Sequence, residues 1–229
     1  KEASFTLRKG EILGIAGLMG SSRTELARTI YGIYPMNKGE MFLNGEKLRI
    51  NSPRDALRSG IAYVSEDRKT NGIVLGMNIR ENITLVSLRS VSGLLGRVYR
   101  SKEEQVSKQY MNDLSIKASG SKQLVKYLSG GNQQKVSIAK NLFSQPSILI
   151  LDEPTRGVDV GAKKEIYTLI NQFKAAGVSI IMISSEIPEI LGMSDRVMVM
   201  HEGRVSGVLN REAADQESIM SLAIGKGVS

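Results

Sequence analysis

Apolar residues along the chain gather in short dense runs, and these alternate with stretches at helical spacing. Glu11–Gly17 (EILGIAG) is one such run and ends in glycine. Ile61–Val64, Ile148–Leu151, Ser179–Ile183, Arg196–Met200 and Arg204–Leu209 are similar. Runs of this length, bounded by turn residues, predict strands rather than core helices. Phe5–Leu7 alternates and leads into Arg8-Lys9-Gly10, which predicts an N-terminal antiparallel hairpin with Glu11–Gly17. Gly39–Leu43 followed by Asn44-Gly45 predicts a strand entering a type I′ turn. Arg23–Tyr31 carries Leu26 and Ile30 at helical spacing. From Gly76 to Ser144 the strand signals vanish, and Asn78–Leu85, Lys102–Leu114 and Gly130–Ser144 predict helices; Gly161–Ala175 predicts another. Alternating strands and helices imply an α/β fold with a mainly parallel sheet. The expected organisation is one domain, with residues 1–75 and 145–229 as its core and residues 76–144 as an inserted α-helical subdomain. The sequence opens inside a strand pattern, so a longer chain is expected around it.

Composition narrows the chemistry. The chain has 229 residues, 41% hydrophobic and 24% charged, as an ordinary globular protein has. No apolar run approaches the roughly 18 residues of a membrane span. Lys1–Gly10 is mixed polar, unlike a secretory leader. With no cysteine, disulfides, thiol catalysis and cysteine metal clusters are excluded. The single histidine, His201, cannot build a multi-histidine metal site. The net charge is +8. Lys and Arg are spread along the chain, and the local excess at Arg89–Lys102 lacks the interleaved aromatics of a base-stacking platform. A solvated basic surface is therefore expected, without a nucleic-acid partner.

Gly17-Leu18-Met19-Gly20-Ser21-Ser22-Arg23-Thr24 lies between a predicted strand and a predicted helix, where a phosphate-binding loop belongs. Against the pattern G-x-x-x-x-G-K-[ST], Gly17 and Thr24 fit, while Ser22 replaces the second glycine and Arg23 the lysine. Backbone N–H groups at a helix N-terminus hold phosphate whatever the side chains are. Ser22 brings a Cβ to a place where the pattern's glycine allows positive φ or close approach to the phosphates. Arg23 brings a planar fork in place of a compact ammonium. The expected nucleotide-contacting stretch runs from Gly17 through Thr24 to Glu25.

Two further elements strengthen this reading. Ser147–Glu153 (SILILDE) is a buried strand ending in two carboxylates. Asp152 is placed to hold Mg²⁺ together with the Thr24 hydroxyl, and Glu153 to orient and polarise an attacking water. Leu128-Ser129-Gly130-Gly131-Asn132-Gln133-Gln134 opens a helix with a hydroxyl and two small residues, an anion-binding corner suited to a γ-phosphate presented by another subunit.

With these residues the chain resembles the nucleotide-binding domain of ATP-binding cassette (ABC) transporters, over its whole length. LSGG is similar to that family's signature motif, ILILDE to its Walker B strand with the catalytic glutamate, and Gly157-Val158-Asp159 to its D-loop. The resemblance implies a P-loop NTPase core, ATP and Mg²⁺ as cofactors, and two domains stacked head to tail. Each ATP then lies between one domain's phosphate loop and the other's Ser129, Gly130, Gly131, Asn132 and Asp159 equivalents. Ser65–Lys69 (SEDRK), Asp152–Lys164 (DEPTRGVDVGAKK) and Ser184–Glu189 (SSEIPE) further resemble the second, C-terminal cassette of bacterial monosaccharide importers, with ribose the first expectation for the sugar.

That resemblance also exposes departures. Glu66 aligns with the family's Q-loop glutamine, which makes it a third candidate metal ligand beside Thr24 and Asp152. Ser185 aligns with the switch histidine, a catalytic position beside Glu153. The adenine-stacking aromatic lies upstream of the phosphate loop; Phe5 is the nearest aromatic here. The expected partners are the first cassette of the same polypeptide, a membrane permease subunit and, indirectly, a periplasmic sugar-binding protein. The implied location is peripheral, on the cytoplasmic side of the bacterial inner membrane. Arg68 and Lys69 are candidates for contacting the permease. The domain's own ATP site is expected to be degenerate and slow, and the isolated domain weak or inactive. Two alternatives stay open: a non-hydrolysing regulatory or dimerisation cassette, and a soluble ABC ATPase acting on ribosomes or DNA.

Overall fold

The computed structural model describes residues 2–226. In chain order its strands and helices are β1 (Ile12–Gly17), α1 (Arg23–Ile30), β2 (Met41–Leu43), β3 (Glu46–Leu48), α2 (Pro53–Arg58), β4 (Ile61–Val64), α3 (Ile79–Thr84), α4 (Arg100–Asp113), α5 (Gly130–Leu142), β5 (Ile148–Asp152), α6 (Val160–Ala175), β6 (Ser179–Ile183), α7 (Ile187–Met193), β7 (Arg196–His201), β8 (Arg204–Asn210) and α8 (Gln216–Ala223). Six strands form one sheet in the order β4-β5-β6-β1-β7-β8, and β2-β3 form a separate hairpin. The β5–β6, β6–β1 and β1–β7 pairs are parallel, while β8 returns antiparallel to β7.

The chain divides into two compact units. The first comprises Lys1–Tyr63, Ser147–Glu153 and Asn171–Ser229; the second comprises Val64–Pro146 and Pro154–Ile170. The core of the first is built from the β1, β5, β6 and β7 side chains that the apolar runs announce. Leu13, Ile15, Ile150, Ile181, Ile183 and Met198 pack there with Ala27, Tyr31 and Tyr63. In the second unit α3 and α4 are joined by polar contacts at Glu103, a buried side chain. Thr84 Oγ1 donates to Glu103 Oε1 at 2.9 Å, and Arg80 Nε meets Glu103 Oε2 at 2.9 Å.

Most predicted elements form within a residue or two of their expected limits. The N-terminal hairpin does not. Phe5–Leu7 is in no strand, because both edges of β1 are already taken, by β6 on one side and β7 on the other. The alternation still has meaning: Phe5 and Leu7 pack against the core, which engages Phe5 away from an adenine-stacking role. The antiparallel hairpin of the fold is β2-β3 instead, and its turn has the expected positive φ at both centres, 53° at Asn44 and 85° at Gly45. The short helices α2, α7 and α8 carried readable start signals. Ser52 caps α2 just before Pro53, and Asp215 and Ser218 form a capping box on α8. No helix among the described residues is long and apolar enough to cross a membrane.

Helix α7 sits close against β1, and Gly14 is the reason. A Cβ there would lie 2.1 Å from Ser194 Oγ and 3.2 Å from Ile190 Cγ2. Gly14→Ala should therefore destabilise the protein by about 2 kcal/mol through overpacking. The measurement is the urea midpoint at unchanged slope, and Ser194→Gly in the same chain should restore part of the loss.

Candidate functional site

Three neighbouring parallel strands end together: β1 at Gly17, β6 at Ile183 and β5 at Asp152. Asp152 stands in register with Ile183, and Ile183 with Ile15. The segments leaving these ends carry Ser22–Glu25, Glu153 and Ser184–Ser185. In parallel α/β sheets this carboxyl edge is where ligands bind.

The loop after β1 follows the backbone conformation its residues suggest. Gly17 has φ 156° and Gly20 has φ 80°. A Cβ on Gly17 would lie 2.5 Å from Met200 O, so no other residue fits there. Ser22, at the second-glycine position, has φ 70° and ψ 30°. A serine held in this left-handed region costs on the order of 1–2 kcal/mol, as the replaced glycine would not. Met19 stands almost wholly exposed, and Ser21 Oγ is buried without a hydrogen-bond partner among the described residues. Arg23 does not extend from the loop: its Nη1 donates to Ser184 O at 2.8 Å. Burial pulls its guanidinium below its ordinary value, while Glu153 and Asp152 pull the other way. Glu25 is exposed on the first turn of α1.

Asp152 is fully buried and held from two sides. Thr24 Oγ1 donates to its Oδ1 at 3.1 Å, and Tyr63 Oη donates to its Oδ2 at 2.7 Å. Burial raises the Asp152 carboxyl above its ordinary range; these two hydrogen bonds oppose the shift. Glu153 follows at φ 49°, and Ser185 Oγ donates to its Oε2 at 3.1 Å. Burial likewise raises Glu153, with the Ser185 bond and the nearby Arg23 charge acting against it. The structure thus gathers Thr24, Arg23, Asp152, Glu153 and Ser185 at one edge of the first unit. Tyr63 belongs with them, although sequence reasoning passed over it. Its signal was a phenol in an otherwise apolar strand, since a buried tyrosine hydroxyl finds a partner.

The other expected residues lie in the second unit. Ser129 caps α5, and its Oγ accepts from Asn132 Nδ2 at 2.9 Å. Asn132 Oδ1 accepts from the Lys117 N–H at 2.8 Å, so this side chain holds the corner in place. A Cβ on Gly131 would lie 2.5 Å from the Ala162 Cβ, and one on Gly130 would lie 3.0 Å from Gly157 O. Packing requires the glycine at 131 and leaves little room for a side chain at 130. Asp159 Oδ1 accepts from the Ala162 N–H at 2.9 Å at the start of α6. Glu66 is ion-paired with Arg156. Arg68, a candidate for reaching a permease, directs its guanidinium to the backbone carbonyls of Arg156 and Gly157. Lys69 is exposed. Back in the first unit, His201 is bonded through Nδ1 to Ala223 O at 2.8 Å.

A Mg²⁺–nucleotide fits the first-unit residues. Magnesium takes one or two protein oxygens and fills its remaining positions with water and phosphate. Thr24 Oγ1 and Asp152 Oδ1, 3.1 Å apart, are such a pair. The unpartnered Ser21 hydroxyl in the same loop awaits an acceptor.

Comparisons with known proteins bear on this geometry. The family model described as ABC transporter matches residues 1–156. Two curated relatives, the Ribose import ATP-binding proteins RbsA of Clostridium perfringens strain 13 and strain SM101, are each 57% identical over 225 residues. Those alignments take in 98% of this chain and 45% of the relatives, so the chain spans about half the length of the proteins it matches. Among solved structures, a nucleotide-free ATP-binding cassette from an ABC transporter superposes with a TM-score of 0.81 at 21% identity, covering 97% of this chain and 91% of that one. The dimeric cassette MJ0796 in a post-hydrolysis state, bound to ADP and Pi, superposes at 0.79 with 19% identity, covering 92% and 90%. At such identities the structural likeness speaks for the fold, and the sequence matches speak for descent. The chain has the ABC ATPase fold and belongs to the ABC transporter family.

Proposed function

We propose that this chain is the C-terminal ATP-hydrolysing cassette of a two-cassette bacterial importer subunit for a monosaccharide, ribose before any other. The observation that carries the reading is the meeting of Thr24, Asp152, Glu153 and Ser185 at the carboxyl edge of the sheet, in a chain 57% identical to ribose import ATP-binding proteins. Thr24 and Asp152 hold Mg²⁺, with Tyr63 fixing the second carboxylate oxygen of Asp152. ATP, when bound, supplies the phosphoanhydride bond that water splits. The loop N–H groups from Gly17 to Thr24 hold its phosphates. Glu153 orients the attacking water and takes its proton, and Ser185 holds the Glu153 carboxylate in place. Ser129–Asn132 and Asp159 face the nucleotide of the first cassette, and the permease and a periplasmic sugar-binding protein complete the transporter. The assembly sits at the cytoplasmic face of the inner membrane.

The cassette's own site is the slower of the two. Ser22 holds the loop in a strained conformation, Arg23 is tied to Ser184 O, and a serine stands in the switch position. A non-hydrolysing regulatory cassette is the second reading, favoured by those same departures and opposed by the intact Asp152–Glu153 pair.

These readings make distinct predictions. In the full-length protein with its permease and binding protein, ribose should stimulate ATP hydrolysis more than other sugars do; stimulation by a different sugar alone would displace ribose. In that system, Glu153→Gln should lower total turnover by no more than about twofold, whereas the matching change in the first cassette should lower it by about 10²–10³-fold. Equal collapse in both would end the slow-site idea. Tyr63→Phe should weaken Mn²⁺ binding, read by electron paramagnetic resonance, by about tenfold, because it frees one oxygen of the metal carboxylate. Ser22→Gly should raise stability by about 1 kcal/mol by relieving the left-handed serine; an unchanged thermal midpoint would count against that strain.

A further inference from the structure

One guanidinium in the second unit joins three segments far apart in sequence. Arg68 Nη1 donates to Arg156 O at 2.8 Å and Nη2 to Gly157 O at 3.2 Å. That same Nη2 lies against Gly130, where an added Cβ would meet it at 3.0 Å. Beside it, Glu66 pairs with the Arg156 side chain, so the two segments are tied by side chain and backbone together. The turn that carries Arg68 is itself anchored at both ends. Asp67 Oδ1 accepts from the N–H groups of Lys69 and Thr70 at 3.1 Å each, and Lys140 from α5 donates to Gly72 O.

This arrangement depends on the shape of arginine. A planar fork spans two successive carbonyls while its flat face allows a backbone to pass close by; a lysine ammonium is a single point on a flexible stem. Gly130 has no side chain, and so the start of α5 settles directly against the fork. The carbonyls it holds lead into Val158-Asp159, and Asp159 caps α6. A displaced Arg68 would therefore lose both carbonyl bonds and its place against Gly130 at once.

We propose that Arg68 is a positioning residue that fixes Ser129–Gly131 and Gly157–Asp159 against each other, and through them sets turnover at the opposing cassette's nucleotide. This rests on the reading of Ser129 as a residue lent to that opposing site. It assigns Arg68 to the interior of the cassette rather than to the permease.

The test compares Arg68→Ala, Arg68→Lys and Ser129→Ala in the full-length protein, measuring basal ATP hydrolysis without permease, KM for ATP, thermal midpoint and sugar stimulation with the permease present. Both Arg68 variants should lose about tenfold in basal kcat with KM within about twofold, and lysine should give no rescue. Arg68→Lys keeps the charge on a long aliphatic stem, so it reports even if the alanine variant folds poorly. A normal basal rate in Arg68→Lys beside a collapsed rate in Ser129→Ala overturns the role of Arg68 alone. Loss of sugar stimulation with the basal rate intact overturns it too, in favour of a permease contact. A normal rate in Ser129→Ala overturns the shared-site reading itself, and the proposal with it.

Discussion

A carboxylate buried at the end of a parallel strand is unstable unless other groups hold it, and Asp152 sets the terms for what surrounds it. Desolvation disfavours its charge, and that cost is offset by hydrogen bonds from Thr24 and Tyr63. Those bonds fix the placement of α1 and β4 relative to β5 within the first unit. They also leave Thr24 Oγ1 and Asp152 Oδ1 side by side, which is the geometry a small hard cation needs. Stability and chemistry meet here: one set of contacts makes the buried acid tolerable and aims it.

Beside it the phosphate loop is built to the same plan with altered parts. The turn demands positive φ at three places, and glycine occupies only two of them. Ser22 accepts the third. Arg23 lies along the sheet edge on Ser184 O and within the field of two carboxylates, whose charge it partly balances. A cation so engaged must give up an existing bond before it serves a phosphate, which is the physical basis of the slow turnover proposed for this loop.

The helix that begins at Ser129 follows a different logic. Its buried face is largely polar: Gln133, Gln134, Lys135, Ser137 and Asn141 are all buried. Lys135 is almost wholly enclosed, donating to Ser115 O at 2.9 Å and to Glu165 Oε2 at 2.5 Å. Gln133 donates to Val125 O and Asn141 to Ser137 O as well, and bonds of this kind favour a single arrangement because a buried polar group that loses its partner is costly. The corner at Ser129 is thereby held by directional bonds and by the packing of two glycines. Apolar burial alone would tolerate sliding.

Much of this was legible in the amino-acid order. Strands β1, β5, β6 and β7, the helices between them and the residue sets at Gly17–Thr24, Ser129–Asn132 and Asp152–Glu153 all depend on neighbours within a few positions, and local spacing carries that information. The hairpin expected at Phe5–Leu7 failed because the pairing of β1 with β6 and β7 is decided by segments more than 160 residues away. The helix α5 was expected from its motif, yet the partners of Gln133 and Lys135 on its polar face, Val125 O, Ser115 O and Glu165, are ones that no periodicity announces. Tyr63 on Asp152, Ser185 on Glu153, and Arg68 across Arg156, Gly157 and Gly130 likewise join positions distant along the chain. The sequence by itself determined which side chains are candidates for the chemistry and which elements bear them. Only the tertiary structure decided which of them touch, because a hydrogen bond needs its two atoms within about 3 Å and chain spacing sets no such distance across a sheet.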